Sequence, residues 1–301
     1  MFASLALAAA QLITIPLQKP PPQVQRQIAP IETAGPYLAA ACRDRDGWDD
    51  PAPPAEIFAN TFYVGTCGIS AILIAGTDGS ILIDSGTDQG ATLVADNIRD
   101  LGFRLGSVRI LLHSHEHLDH VGGMARLQRL TGAQLYASPA AARAFATGTA
   151  TPDDPQAGLS KPFPTIQVGS IIGDGQIVRL GNLWLTGVAT PGHTPGAMSW
   201  HWVSCDGGVC RSVVYADSLS PVSRDDYRFS DHPAYLAAYR RSIDRIAALD
   251  CDILLTPHPS ASGMLERFAA KSMEDPNACR AYSARLTKQL DERLAKEKAG
   301  K

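Results

Sequence analysis

Residues 113–123 read His-Ser-His-Glu-His-Leu-Asp-His-Val-Gly-Gly, which sets four histidines and an aspartate within eight positions. Imidazole nitrogens and carboxylate oxygens are the donors that a borderline cation such as Zn²⁺ takes. The cluster follows directly on Val108 to Leu112, a short apolar run containing Val and Ile that reads as a buried strand. His115, His117 and Asp119 alternate, so an extended backbone points all three to one side, and His120 comes from the turn that follows. Two later histidines stand at strand ends. His193 lies in Thr190-Pro191-Gly192-His193-Thr194-Pro195-Gly196, and His258 in Thr256-Pro257-His258-Pro259. A fold that gathers its strand tips on one edge unites the three clusters. Five histidines and Asp119 then suffice for two three-ligand zinc sites with open positions, where a shared water ionises near about pH 7. Surplus positive charge there favours an anionic substrate with a carbonyl to polarise. The isolated His113, His201 and His232 read as structural or exposed. Glu116, on the other side of the alternation, reads as solvated or salt-bridged.

These residues need a scaffold of strands. Thr61 to Val64, Ser70 to Ala75 and Ser80 to Asp84 are β-prone runs split by Gly and Asp-Gly turns. Ala91, Val94, Ile98 and Leu101 space an amphipathic helix over 88–101, and further helices are expected at about 122–130 and 139–147. Gln134 to Ala137 is a strand between them. Residues 148–164 carry Gly, Pro, Asp and Ser without a period, and a loop of that size in a compact domain is usually functional. Strands resume at 166–168, 175–180, 183–189, 197–203 and 212–215. A helix follows Asp231-His232-Pro233, then a strand at 253–256. Leu286, Leu290 and Leu294 put one face of a C-terminal helix against the body. Strands followed by helices occur on both sides of the middle loop, so two β-halves pack together with helices outside.

At 301 residues the chain can bury a large core, and 45% hydrophobic with 19% charged residues is an ordinary globular composition. The net charge of −3 provides no polybasic run, which argues against nucleic-acid or acidic-membrane partners. Phe2 to Ala10 is short, apolar and Ala-rich, as in the core of an export signal, although no basic residues precede it. The expected organisation is a signal peptide over 1–22 and a single domain over 23–301, whose first part (about 23–55) is an extended segment. Six cysteines, Cys42, Cys67, Cys205, Cys210, Cys251 and Cys279, form no C-x-x-C pair, so disulfides in an oxidising compartment compete with six buried thiols. Cys205 and Cys210 flank Asp206-Gly207-Gly208, where a bridge across a hairpin is easy.

The run His115-Glu116-His117-Leu118-Asp119-His120 resembles the HxHxDH hallmark of the metallo-β-lactamase fold superfamily. Thr190 to Gly196, Tyr215-Ala216-Asp217-Ser218-Leu219-Ser220 and Leu255 to Pro259 resemble the third subclass of true metallo-β-lactamases. The resemblance covers about residues 57–279. It implies an αββα sandwich of two mixed β-sheets packed face to face, a periplasmic enzyme and two zinc ions. By the same resemblance His115, His117 and His193 hold one zinc, and Asp119, His120 and His258 the other. Ser218 and Ser220 contact the substrate carboxylate, and Cys42–Cys67, Cys205–Cys210 and Cys251–Cys279 pair. The middle loop over 148–164 is a candidate cover for the pocket, with Gln156 a candidate substrate contact. The implied reaction is hydrolysis of the β-lactam amide by a hydroxide that Asp119 orients, in a monomer that confers antibiotic resistance. A lactonase or glutathione-thioester hydrolase of the same fold is the alternative. One position separates them: Asp217 facing inward would be a shared ligand, as in glyoxalase-like relatives, whereas Ser218 inward leaves Asp217 a structural hydrogen-bonding residue. Only one of two neighbours on a strand can face the metals.

Overall fold

Three consecutive strands show how the sequence builds its layers. Ile72, Ile74, Ile81, Ile83, Ile110 and Leu112 turn into one core, while Leu73, Leu82 and Leu111, their neighbours in sequence, turn into another. Period-2 alternation with apolar residues on both faces means a sheet covered on both sides. The computed structural model describes residues 34–300. The first sheet has seven strands in sequential order, β1 (Ala55–Phe58), β2 (Thr61–Tyr63), β3 (Ile72–Gly76), β4 (Gly79–Ile83), β5 (Val108–Leu112), β6 (Gln134–Ala137) and β7 (Val168–Ile171). It runs antiparallel through β4 and parallel from β4 to β7. The second sheet is built from β8 (Ile177–Leu180), β9 (Leu183–Ala189), β10 (Met198–Asp206), β11 (Val209–Tyr215) and β12 (Ile253–Leu255) in the order β12-β11-β10-β9-β8. Its β11–β12 pair is parallel and the rest antiparallel.

The helices are α1 (Ala34–Ala41), α2 (Gly90–Asp100), the single turn α3 (Leu118–Val121), α4 (Met124–Thr131), α5 (Pro139–Thr147), α6 (Pro233–Ala248), α7 (Met264–Ala269) and α8 (Ala278–Lys298). Val94 and Ile98 of α2, Leu127 of α4 and Phe145 of α5 cover the outer face of the first sheet. Tyr239, Ile243 and Ile246 of α6 and Tyr282, Leu286 and Leu290 of α8 cover Val214 and Leu254 of the second. Between the sheets lie Leu185, Met198, Trp200, Val213, Tyr215, Ile253 and Leu255 against the isoleucines of β3 and β4. The αββα order follows. Trp200 is wholly buried, and its indole N–H donates to the His113 carbonyl at 2.9 Å, which satisfies the one polar atom the ring brings inside.

One expectation changes. The segment read as extended over 23–55 contains α1, which packs on α7 through Gly35, where a Cβ would press on Phe268. Its Leu38 and Ala39 sit in an Ala-rich stretch too short to show a helical period. The apolar run at 2–10 lies outside the described residues. The six cysteines pair as Cys42–Cys67, Cys205–Cys210 and Cys251–Cys279, with none left free.

Candidate metal centre

The strand tips converge because of register. Ile83 of β4 lies beside Leu112 of β5, and Tyr215 of β11 beside Leu255 of β12, both pairs parallel. Their C-terminal ends therefore open on the same edge, and β9 ends there too, with Ala189 opposite Met198. One carboxylate joins the two sheets at this edge. Asp84 accepts from the Ser114 N–H, the Ser114 hydroxyl and the Tyr215 hydroxyl, each at 2.7 Å. It holds a positive φ of 63°, an unusual conformation for a non-glycine residue, just after β4. Met198 N–H closes the seam by donating to the Ser114 carbonyl at 2.6 Å.

His115 and His117 leave β5 in extended backbone, as the alternation requires. The alternation stops there: His117 caps α3, and Asp119 and His120 stand on that turn of helix. The same side is reached by a different backbone. Gly192 and Gly196 shape the His193 loop, since a Cβ on the first would enter the Tyr239 ring and on the second would meet Ala141 N and Glu116 Oε1. Pro257 and Pro259 frame His258, and the Pro257 carbonyl accepts from Ser70 N–H at 2.7 Å.

Donor atoms of His115, His117 and His193 lie within 4.8 Å of one another, and so do those of His115, Asp119 and His120. His258 Nε2 is 3.3 Å from His120 Nε2 and 3.4 Å from Asp119 Oδ2. Four of the five imidazoles have their other nitrogen hydrogen-bonded from outside, and the fifth, His120, has a carboxylate near it. His115 Nδ1 meets Asp217 Oδ1 at 2.7 Å, His117 Nε2 meets Asp154 Oδ2 at 3.1 Å, and His193 Nδ1 meets the Ser220 carbonyl at 2.9 Å. His258 Nδ1 meets the Gly68 carbonyl at 3.1 Å, and His120 Nδ1 lies 3.6 Å from Asp84 Oδ2. Outer partners of this kind fix tautomer and ring orientation in metal-ligating histidines. Of the inward nitrogens, His120 Nε2 and His258 Nε2 meet each other, and His115 Nε2, fully buried, has no hydrogen-bond partner among the described residues. Lone pairs crowded this way are a costly arrangement for protein atoms alone and a good one around cations. The residues fit a metal.

For three of the five histidines the electrostatics agree. Burial, then His120, His193 and His117, depress the His115 pKa far below the ordinary imidazole value. Burial and His117 lower that of His193 to about 3, and burial and His120 lower that of His258 to about 4. These imidazoles are neutral at pH 7, the state that binds metal. Burial would also lower His120, but Asp119 and Asp84 outweigh it and push its pKa up to about 10. Burial opposes ionisation of Asp119 too, and His120 and His258 nonetheless hold its carboxyl below the usual carboxylate range.

The family model described as "Metallo-beta-lactamase superfamily" matches residues 64–258, which contain every one of these donors. The chain belongs to the metallo-β-lactamase superfamily. Among solved structures it is similar to the MIM-2 metallo-β-lactamase, with 57% identity, TM-score 0.85 and coverage of 88% of this chain and 98% of that one. It is also similar to MEM-A1, a subclass B3 metallo-β-lactamase from a soil metagenome library, with 41% identity, TM-score 0.81 and coverage of 85% and 100%. A curated relative, the hydroxyacylglutathione hydrolase of Anaeromyxobacter dehalogenans, is 29% identical over 181 residues. That match spans 54% of this chain and 59% of the relative.

Within this metallo-β-lactamase fold the remaining candidate residues have the following surroundings. Ser218 is buried and its Oγ has no partner, while Ser220 Oγ lies 3.1 Å from His193 Nδ1. Gln156 Nε2 lies 3.2 Å from His193 Nε2. Asp217 turns to the outer side of His115, its Oδ1 2.7 Å from Nδ1, and burial raises its pKa while depressing that of His115. Of the two arrangements open in the sequence, Asp217 adopts the hydrogen-bonding one. Glu116 is corrected. It is fully buried and accepts from Thr194 Oγ1 at 2.6 Å and Gly196 N–H at 2.8 Å, bracing one ligand loop against the other. The alternation puts it opposite the ligands, and opposite them lies the His193 loop instead of solvent. His113 is structural, its Nε2 accepting from Ser138 N–H at 3.2 Å, and His232 is exposed against Tyr227. Asp84 and Asp154 escape a sequence reading, being lone acids next to turns; Asp84-Ser85-Gly86 directly after a strand is the one available signal.

Proposed function

We propose that the protein hydrolyses the amide bond of β-lactams with two zinc ions; its MIM-2 and MEM-A1 relatives are named metallo-β-lactamases. His115, His117 and His193 would hold one ion, and Asp119, His120 and His258 the other. The observation that carries this is the set of five imidazoles gathered at one centre with Asp119, four of them hydrogen-bonded from outside through their other nitrogen. When bound, zinc supplies Lewis acidity toward the carbonyl oxygen and lowers the pKa of water to about 7.

The protein's own groups do the rest. Asp119 Oδ2 can accept a hydrogen bond from the attacking water and so aim it. The Ser218 hydroxyl, buried and unpartnered, is a donor for the substrate carboxylate, with Ser220 beside it. Gln156 closes the wall at His193 and offers an amide to the substrate. His258, with a side chain 33% exposed, marks the open mouth. Because water is the nucleophile, no serine is acylated.

The domain runs over 23–301 after a leader, and three disulfides support an oxidising compartment, which we take to be the periplasm. No helix among the described residues is long and apolar enough to cross a membrane. The protein acts as a monomer on a small molecule. Nitrocefin, a carbapenem, a homoserine lactone and a glutathione thioester, assayed with and without chelator, test the assignment. β-Lactam turnover that is lost to the chelator and restored by zinc is expected; lactone or thioester turnover without nitrocefin cleavage refutes it.

A further inference from the structure

The loop between α5 and β7 is closed at its neck by Phe163 N–H donating to the Gly148 carbonyl at 2.8 Å. Of residues 151–160 only Asp154 and Pro155 are buried. The Asp154 carboxylate divides its two oxygens. Oδ1 accepts from Gln156 N–H at 2.7 Å, which shapes the turn, and Oδ2 meets His117 Nε2 at 3.1 Å with the side chain wholly enclosed. From the other side Arg224 grips the same turn, its N–H on the Pro155 carbonyl at 2.9 Å and its guanidinium on the Asp154 carbonyl at 3.3 Å. The turn is therefore wedged between His117 and the segment that follows Ser218 and Ser220. Two residues on, Gln156 reaches His193.

We propose that Asp154 is a positioning residue that couples zinc occupancy to the order of this loop. The inference rests on His117 being a zinc ligand, as assigned above. Asp154 engages Nε2, which leaves Nδ1 to face the centre. A cation on Nδ1 fixes Nε2 as an N–H donor and strengthens its bond to a carboxylate. Without the cation the same imidazole can exchange tautomers, and the bond loses its direction. The enclosed carboxylate that anchors this turn thus tightens its hold when zinc binds, and Gln156 is brought to the substrate wall with it. Such coupling is reciprocal, so holding the loop must also tighten zinc.

Competition titration with a chromophoric chelator and hydrogen exchange at the amides of 151–159, with and without zinc, test this on the full protein. In the wild type, zinc slows exchange across the turn. In Asp154→Ala, zinc affinity falls roughly 10–100-fold, the range for lost outer partners of metal ligands, and the zinc-dependent protection disappears. Asp154→Asn keeps a carbonyl that can accept from Nε2–H and lies between the two, which separates positioning from a folding defect. Asp153→Ala, which removes an exposed ion pair with Arg143, leaves both readouts at wild-type values. Asp154→Ala with wild-type zinc affinity and retained protection overturns the proposal, as does an Asp153→Ala protein that behaves like it. Neither readout involves a β-lactam, so failure to cleave nitrocefin with zinc coupling intact refutes the substrate and leaves the coupling standing. A wild-type protein that takes up no zinc overturns both.

Discussion

Glu116 separates a brace from a surface charge, and its replacement has a calculable effect. Glu116→Ala strands two donors, the Thr194 hydroxyl and the Gly196 N–H, inside a region where Thr194 is 0% exposed. Each unsatisfied buried donor costs about 1–3 kcal/mol. Part of this is recovered, because burial of the carboxyl is itself unfavourable and raises its pKa. The net loss is about 2–4 kcal/mol, which for a chain of this size lowers Tm by roughly 5–10 °C. Glu116→Gln keeps an oxygen for Gly196 N–H and turns an amide toward the Thr194 oxygen, so its cost stays within about 1 kcal/mol. Thermal and urea unfolding of the chelated proteins measures both. The two loops that Glu116 joins carry His115, His117 and His193, so Ala should also weaken zinc binding more than Gln does. An Ala variant as stable as the wild type, or a Gln variant as damaged as Ala, would refute the idea that this carboxylate ties the loops.

Asp217→Asn keeps an acceptor for His115 Nδ1 and loses charge; zinc affinity should fall roughly 10–100-fold while the zinc content at saturation, read by atomic absorption, stays at the wild-type value. A lost zinc equivalent would make Asp217 a ligand after all. Glu297 accepts from Phe229 N–H and Ser230 N–H at 2.9 Å and from Arg293 at 3.0 Å, and although burial opposes it, these partners hold its pKa below the usual carboxylate value. A depressed folded-state pKa gives stability that is present above the unfolded value and lost as pH falls through the folded one. Glu297→Gln should therefore cost about 1–3 kcal/mol at pH 7, by urea unfolding, and the difference should close in acid below pH 4. A difference that persists at low pH would contradict the assignment.

What was legible in the sequence is what repeats at short range. The isoleucine–leucine alternation of β3 to β5 announces a sheet with two covered faces, and the spacing of Val94 and Ile98 announces the helix above it. The proposed ligand residues stand out for a related reason. Metal chemistry restricts them to a few side-chain types, and the chain places them beside Gly and Pro at strand ends, so identity and position reinforce each other. Helix α1 fails that test, because Ala34 to Ala41 has too few large apolar residues to mark a face. The alternation through the histidine run is half right: it carries His115 and His117 and then yields to α3, since Asp119 and His120 must turn back under Ser85, whose N–H donates to the His120 carbonyl at 2.9 Å.

The carboxylates around the centre were beyond reach, for a physical reason. Asp84, Asp154 and Asp217 are defined by what lies across from them, 36, 37 and 102 residues away in sequence at His120, His117 and His115. An aspartate at the end of a strand or in a Pro-rich loop is by itself ordinary turn chemistry. It becomes part of a metal centre only when register sets the two sheets so that its oxygen meets the back of an imidazole. The centre is therefore a property of the seam between the sheets, and perturbations far from the ligands that shift this seam should act on zinc before they act on the fold. Asp84 is the sharpest point at which to look, since one carboxylate there serves Ser114 of the first sheet's edge and Tyr215 of the second, with His120 next to it.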